Sequence, residues 1–271
     1  MVHTFYLNGY YIALDVNSGA VHVLDKLCFD LLNKFGDKLP EEFPSDILEE
    51  LSAEYEREEL IEVYSELLEL QKAGQLFSED DYERFTDMMK GAPIKSMCLH
   101  IIADPSEPYA ITEEDLPAIF AEYEKLAVEM IRRKKEEGRC FNFFHFMIDL
   151  DQGPCAIKRL RGCGCGNEYV SVTPDGDIYP CHQFVGNDEW KMGNLDDETL
   201  DIEMKDKFAC SNIYTKEGCR DCWCKFYCSG GCNANNYSFN KDINKPVKLS
   251  CEMERKRVEC AIMIKVAMAD K

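Results

Sequence analysis

The cysteines of the carboxy-terminal half are the residues whose type and spacing could do chemistry. Ten of the 15 cysteines lie between residues 163 and 251. Four of them are separated by two, five and three residues, namely Cys219, Cys222, Cys228 and Cys232. Thiolates at such spacings can point inward from one short loop and bind a common metal. Cys251 can add a ligand from outside the loop, and Cys163, Cys165 and Cys181 bracket a hairpin upstream. These eight thiols are enough for two four-ligand metal sites.

The residues alone leave the identity of the metal open. Two four-thiolate zinc sites and two iron–sulfur clusters would use the same spacings, and the pattern contains no histidine. A disulfide framework is disfavoured, because 15 is odd and pairs such as Cys163 and Cys165 are too close in sequence to bridge easily. The pattern therefore predicts metal ligands rather than cross-links.

Charge and hydropathy exclude several classes of protein. The 271 residues carry a net charge of −20, which disfavours nucleic acid or an anionic membrane as a partner. The amino-terminal residues lack the basic start and apolar run of a signal peptide. No stretch approaches the roughly 18 apolar residues of a membrane span. We expect a cytoplasmic protein, in which free thiols stay reduced.

The amino-terminal residues predict a small winged-helix-like module. Three apolar strands fill residues 3–24, and Asn8-Gly9 between the first two is a strong hairpin signal. Asp25 is predicted to cap a helix over 26–36, Ser45 to cap a second, and a third is predicted over 56–73. The acidic helices disfavour DNA binding. The edge of the sheet could instead accept an extended peptide as an added strand, or it could be a plain solvated edge.

The middle and the end of the chain predict a mixed fold. A strand over 94–102, a helix over 113–137 capped by Thr112 and Asp115, and a strand over 140–148 would form one βαβ unit. The last strand is apolar on both faces, as in a covered parallel sheet. Beyond it, Pro174-Asp175-Gly176 predicts a hairpin turn, and 252–269 predicts a helix. The predicted fold class is α+β.

The cysteine pattern resembles a SPASM domain, the auxiliary-cluster domain of peptide-modifying radical SAM enzymes. The family pattern is C-x(9–15)-G-x4-C, then C-x2-C-x5-C-x3-C, then a last C. It is matched by Cys163, Gly176, Cys181, Cys219, Cys222, Cys228, Cys232 and Cys251. The segments FNFFHFMIDLDQGPCAIKRLRGCGCGNEY, KFYCSGGCNANNY and GYYIALDVNSGAVHVLD are similar to the SCIFF-peptide maturases. These enzymes install thioether bonds between cysteines and other residues of a ribosomal peptide.

The resemblance implies a domain plan and a partner. It implies a peptide-recognition element over residues 1–90, a truncated radical SAM barrel remnant over 91–150, and a SPASM auxiliary-cluster domain over 151–271. The implied partner is a ribosomal precursor peptide whose leader adds a strand to the 3–24 sheet, with no nucleic acid and no membrane involved. This expectation agrees with the strand-addition interpretation of the sheet edge.

The resemblance also implies iron and a set of ligands for two auxiliary [4Fe–4S] clusters. By matching position, the second cluster would be held by Cys219, Cys222, Cys228 and Cys251. The first would be held by Cys163, Cys181 and Cys232. Its fourth iron would take Cys165 or Cys155, or stay open for a substrate thiolate, which metal binding would activate.

One departure from the family limits what this chain is expected to do. Radical SAM enzymes carry a C-x3-C-x2-C loop whose cluster binds SAM, and this chain has no such spacing. Residues 97–101 resemble the strand before that loop, and the sequence then continues with what resembles a late crossover of the barrel. Cys28, Cys98 and Cys140 are isolated. Judged against one βαβ unit, about half the barrel or more is missing. We therefore expect no catalytic residue and no SAM site in this chain.

Three hypotheses follow. The chain could be a SCIFF-type maturase that acts when another chain supplies the SAM cluster. It could be a non-catalytic scaffold that binds leader peptide and carries two auxiliary clusters, which the missing motif favours. It could also be a structural remnant with four-thiolate zinc sites.

Overall fold

The computed structural model describes residues 1–83, 110–148, 150 and 156–269. The chain forms two compact units. The first contains residues 1–80, 118–153 and 256–271, and the second contains residues 81–117 and 154–255. Helices and two small antiparallel sheets make up the described residues, so the α+β fold class is confirmed. The strand predicted over 94–102 lies outside the described residues.

The first unit begins with the predicted three-stranded meander. Strands β1 (Val2–Leu7), β2 (Tyr10–Asp15) and β3 (Val21–Leu24) pair antiparallel in sequence order. Asn8 and Gly9 both adopt positive φ, at 52° and 87°, as the hairpin signal requires. Leu7 pairs with Tyr10 across this turn, which sets the register of the sheet.

Three helices cover this sheet. They are α1 (Lys26–Leu32), α2 (Ser45–Leu51) and α3 (Arg57–Lys72). The Asp25 side chain accepts a hydrogen bond from the backbone N–H of Cys28 at 2.7 Å, which confirms the predicted cap of α1. The predicted Ser45 cap is wrong: α2 begins at Ser45 itself, after Pro44, and no side chain caps it. The core between these elements includes Ala13, Leu31, Leu60, Tyr64 and Leu67.

A buried carboxylate joins the sheet to the end of the helical segment. Asp15 accepts hydrogen bonds from the backbone N–H groups of Ser18 and Ser78, at 2.8 Å and 2.9 Å, and from both hydroxyls. Burial opposes ionisation, but these hydrogen bonds outweigh it and hold the pKa of Asp15 below its ordinary value of 3.8. These hydrogen bonds stabilise the charged form of Asp15. Because Asp15 is the last residue of β2, they also hold Ser78 next to the sheet.

We expect Asp15→Asn to lower the free energy of unfolding of the first unit by about 1–3 kcal/mol, because buried donors lose a charged acceptor. The contribution of Asp15 should be present above pH 3.8 and be lost as the pH falls through the lower folded-state pKa. Amide hydrogen exchange of residues 10–24 measures the change. Asp25→Asn, which weakens one exposed cap in the same unit, should have a smaller effect, and equal effects would contradict the assignment.

The long helix, most of which belongs to the first unit, begins and ends as predicted. A short 3-10 helix, Glu113–Asp115, leads into α4 (Leu116–Glu137). The Asp115 carboxylate accepts from the Thr112 backbone N–H at 2.8 Å and from its hydroxyl at 3.0 Å, which confirms the capping pair. Gly138, with φ of 68°, follows the last turn.

The strand predicted over 140–148 is wrong. The structure has instead a 3-10 helix, Phe144–Phe146. Phe146 is buried and packs edge-on against Phe143, with ring centroids 4.8 Å apart, whereas Phe144 is 78% exposed. An isolated strand leaves its backbone groups unpaired, and no described residue pairs with this segment as a neighbouring strand. The described residues therefore contain no βαβ unit.

The second unit is built from short elements. After α5 (Ala156–Arg161), a four-stranded antiparallel sheet follows in sequence order. Its strands are β4 (Ser171–Val172), β5 (Asp177–Tyr179), β6 (Gly193–Asn194) and β7 (Thr199–Leu200). Its helices are α6 (Ile202–Cys210), α7 (Lys225–Cys228) and α8 (Asn233–Asn240). The last helix, α9 (Lys248–Ala269), begins in this unit, and its residues from 256 onward belong to the first. The predicted hairpin turn is confirmed, with Gly176 at φ of 80°.

Among the residues described, no helix has the length and apolar character to cross a membrane.

Candidate metal centre

Four thiols meet in the core of the second unit. Cys163 and Cys165 lie on the loop after α5, Cys181 follows β5, and Cys232 immediately precedes α8. All four belong to one apolar cluster together with Tyr169, Tyr179, Phe184, Trp190 and Phe208. We call Cys163, Cys165, Cys181 and Cys232 the first thiol group. Residues 69 positions apart in the sequence are thus brought to one place by the hairpin and α8.

Cys165 is the centre of this group. Its thiol hydrogen-bonds to Cys163 and to Cys181, which lowers the pKa of both of those thiols. The same hydrogen bonds, together with burial, raise the pKa of Cys165. The Asn233 Nδ2 donates to Cys165 Sγ at 3.5 Å, and the Tyr169 hydroxyl donates to Cys163 Sγ at 3.8 Å. The sequence left Cys165 as one of several options, and the structure places it between two of the predicted ligands. Cys155 lies outside the described residues.

A buried ion pair and two glycines stabilise the conformation of the loop that carries Cys163 and Cys165. The Arg161 guanidinium, almost completely buried, pairs with the Glu168 carboxylate. A Cβ on Gly164 would lie 2.6 Å from Glu168 Cδ, and one on Gly166 would lie 2.5 Å from Phe208 Cγ. Both glycines have positive φ, at 74° and 73°. The alternation of cysteine and glycine in this loop therefore has a steric cause.

A second set of thiols lines a cavity of about 860 Å³ in the same unit. The predicted ligands there are Cys219, Cys222, Cys228 and Cys251, which we call the second thiol group. The Cys222 backbone N–H donates to the Cys219 carbonyl at 3.1 Å, and Cys228 ends α7. A fifth thiol, Cys224, also lines the cavity, and sequence reasoning did not assign it. The sequence feature that could have indicated it as a ligand is its closeness to Cys222, from which one residue separates it.

The electrostatics of the second group differ from those of the first. Burial raises the pKa of Cys219 to about 11 and that of Cys228 to about 12. Arg255 Nη2 donates to Cys222 Sγ at 3.6 Å and supplies a positive charge at the wall of the cavity. Because Cys219 and Cys228 are protonated at neutral pH, a metal must displace their protons when it binds.

These differences predict the order in which the thiols of the metal-free chain react with iodoacetamide. The thiolate is the nucleophile, so Cys163, with its lowered pKa, should be alkylated at pH 7 faster than Cys228, although both are half-buried. Peptide mapping after a timed reaction measures both sites. The exposed Cys140 reports reagent activity. Equal rates at Cys163 and Cys228 would contradict the assigned hydrogen bonds.

A buried lysine, Lys216, interacts electrostatically with cysteines of both thiol groups. The Lys216 side chain is 3% exposed, and its Nζ donates to the Gly230 carbonyl at 3.0 Å and to Asn233 Oδ1 at 2.7 Å. Burial lowers the pKa of Lys216, and negative charge on thiolates of either group, such as Cys165 or Cys228, would raise it. No Asp or Glu of the described residues pairs with this ammonium group. Anionic metal–thiolate centres would supply a counter-charge to it.

The thiols are gathered without forming a finished coordination shell. In the part of the chain that the structure describes, no three His, Cys, Asp or Glu side chains form a group that could hold a metal ion. Four thiolates around one zinc would have to stand about 2.3 Å from a single point. The all-thiol donor set, the cavity and the buried cation Lys216 fit a larger anionic cluster. Cys28 and Cys140 belong to the other unit, and Cys98 lies outside the described residues.

Comparison with known proteins supports this assignment. Residues 163–223 match the SPASM family, described as an iron–sulfur cluster-binding domain. The match includes Cys163, Cys165, Cys181, Cys219 and Cys222, and the remaining ligand candidates follow it in the sequence. No curated protein matches the chain. The match indicates that this segment is an iron–sulfur cluster-binding domain.

Proposed function

We propose that this chain is a SCIFF-type radical SAM/SPASM protein that binds a ribosomal precursor peptide, holds two auxiliary [4Fe–4S] clusters, and depends on another chain for the SAM cluster. The observation that carries the proposal is the gathering of the predicted ligands into two thiol groups on and beside the segment that matches the SPASM family. The absence of a C-x3-C-x2-C spacing supports the dependence on another chain.

The two thiol groups supply the ligands. Cys219, Cys222, Cys228 and Cys251 would hold one cluster at the cavity. Cys163, Cys181 and Cys232 would hold the other, with Cys165 as the fourth ligand, because Cys165 hydrogen-bonds to two of these three. Such clusters supply electron transfer and thiolate binding when present. The protein's own part is to orient the thiols, exclude water from the first group and lower the pKa of Cys163.

The sheet of the first unit would receive the leader peptide. β3 lies at one end of the sheet order, and its residue Val23 is 55% exposed. The outer backbone groups of such an edge strand can pair with an extended peptide, and side chains facing alternate ways can set its register. The proposed domain limits are 1–90 for peptide recognition, 91–150 for the barrel remnant and 151–271 for the auxiliary clusters.

Anaerobic reconstitution with iron and sulfide, followed by iron counting, tests the cluster proposal. About eight iron atoms per chain would support two four-iron clusters, and about twelve would indicate a SAM cluster as well. Zinc without iron would support a four-thiolate zinc protein instead. A thioether-forming assay with a protein that supplies the SAM cluster separates a maturase from a non-catalytic scaffold, because only a maturase would then modify the precursor peptide.

Titration with leader peptide tests the recognition role. We expect backbone amide signals of residues 10–24 to shift on binding, and those of α3 to shift less, because strand addition changes hydrogen bonding at the sheet edge. A leader peptide with proline at alternate positions is the matched control, since it cannot donate the backbone bonds. Unchanged signals at saturating peptide would remove this role.

A further inference from the structure

Lys216 is a buried cation that the cluster assignment does not use. It precedes Cys219 by three residues, and its ammonium group is almost completely inaccessible to water. Its hydrogen-bond acceptors are the Gly230 carbonyl and the Asn233 side-chain oxygen. Burying an ammonium group is costly unless an anion is close. In the thiolate form that metal binding requires, Cys163, Cys165, Cys219 and Cys228 are the negative groups that would act most strongly on Lys216.

Those thiolates belong to different sites. Cys163 and Cys165 are in the first thiol group, whereas Cys219 and Cys228 are in the second. Lys216 is therefore a single positive charge within electrostatic reach of both groups. Two other cations of this unit are placed differently: Arg255 contacts Cys222 of the second group, and Lys207 is exposed and lies over the Trp190 ring at 4.5 Å.

The hydrogen bonds of Lys216 also reach the backbone that carries ligands of both groups. Gly230 lies in the turn between Cys228 of the second group and Cys232 of the first. Asn233 accepts from Lys216 through Oδ1 and donates through Nδ2 to Cys165 Sγ. A Cβ at Gly230 would lie 2.6 Å from Lys216 Cδ, so the turn is shaped around this side chain.

We propose that Lys216 is the shared counter-charge and positioning residue of the two cluster sites, and that it raises the reduction potential of both. The inference rests on the proposed cluster-binding function. A fixed positive charge in a water-poor environment favours the state with the additional electron, because that state is more negative. Its contact with the 228–233 turn would couple the two sites, since this turn carries Cys228 of the second group and Cys232 of the first.

Lys216→Met tests the charge, since Met has a similar length and no charge. In chain loaded with iron, we expect the midpoint potentials of both clusters to become more negative on dithionite titration followed by EPR. The expected change is about tenfold in the equilibrium constant for one-electron reduction, or about 59 mV. Lys207→Met removes the same formal charge from the surface of the unit, and should leave both potentials unchanged because water screens it.

The outcomes separate this inference from the proposed function. Wild-type chain that takes up no iron would overturn the function, whereas loaded Lys216→Met with unchanged potentials would overturn only the inference. A shift of one potential alone would show that the charge is not shared. If Lys216→Met takes up no iron, Lys216→Arg is the second test. Recovery of both clusters with near-wild-type potentials supports the role of the positive charge. Failure of Lys216→Arg to take up iron contradicts that role and indicates that only the packing of the lysine side chain matters.

Discussion

Replacing Cys219 and Cys222 together with alanine is expected to halve the iron that the reconstituted chain holds, from about eight atoms to about four. Both thiols line the cavity of the second group, and only Cys228 and Cys251 of its four proposed ligands would remain. Two thiolates cannot complete a four-ligand shell. Iron and sulfide analysis, with the visible absorption of the remaining cluster, measures the loss.

Matched variants make this result specific. Cys163→Ala with Cys181→Ala should remove the other half of the iron, because these residues belong to the first group. Cys260→Ala should leave about eight iron atoms, since Cys260 is buried in the core and outside both groups. Adding Cys224→Ala to the Cys219 and Cys222 variant shows whether that neighbouring thiol substitutes as a ligand. Full iron in the double variants would contradict the ligand assignment.

The second large effect is expected at Gly166. An alanine there would have to adopt a φ of 73° and would place its Cβ 2.5 Å from the buried Phe208 ring. The strain and the overpacking together should cost about 2–4 kcal/mol of unfolding free energy. Because Gly166 follows Cys165 and its N–H donates to the carbonyls of Tyr169 and Pro180, both at 2.9 Å, the first thiol group should lose its cluster first.

Gly186→Ala is the control for this prediction. Gly186 has a φ of 84°, but nothing lies within 4 Å of the Cβ it would gain. Backbone strain alone should therefore cost about 1 kcal/mol there. Denaturant unfolding followed by tryptophan fluorescence compares the two variants, because Trp190, one of the two tryptophans, packs 5.5 Å from Phe208 between ring centroids. Equal losses in the two variants would mean that the contact with Phe208 contributes little.

Features with a local cause could be predicted from the sequence. The turn at Asn8 and Gly9, the caps at Asp25 and Asp115, and the end of α4 at Gly138 all depend on a few neighbouring residues. Such features follow from backbone torsions and hydrogen bonds that the sequence itself contains. The presence of metal-binding thiols could be predicted for the same reason, since ligand spacing within one loop is a local property, whereas iron rather than zinc was implied by the resemblance to the SPASM pattern.

Features that need a distant partner could not be predicted. The apolar segment 140–148 has the composition of a strand, but a strand forms only when another strand satisfies its backbone, and none of the described residues does so. Nothing in the sequence distinguishes Lys216 from an ordinary surface lysine. Its burial depends on α8 and the 228–233 turn closing over it.

The sequence by itself determined which thiols are available for metal and which short elements carry them. Only the tertiary structure decided that Cys165 lies between Cys163 and Cys181, that Cys224 joins the cavity, and that one ammonium group lies with both groups. The physical reason is that ligand type and spacing are encoded along the chain. Proximity, burial and unpaired charge arise only when separate segments pack together.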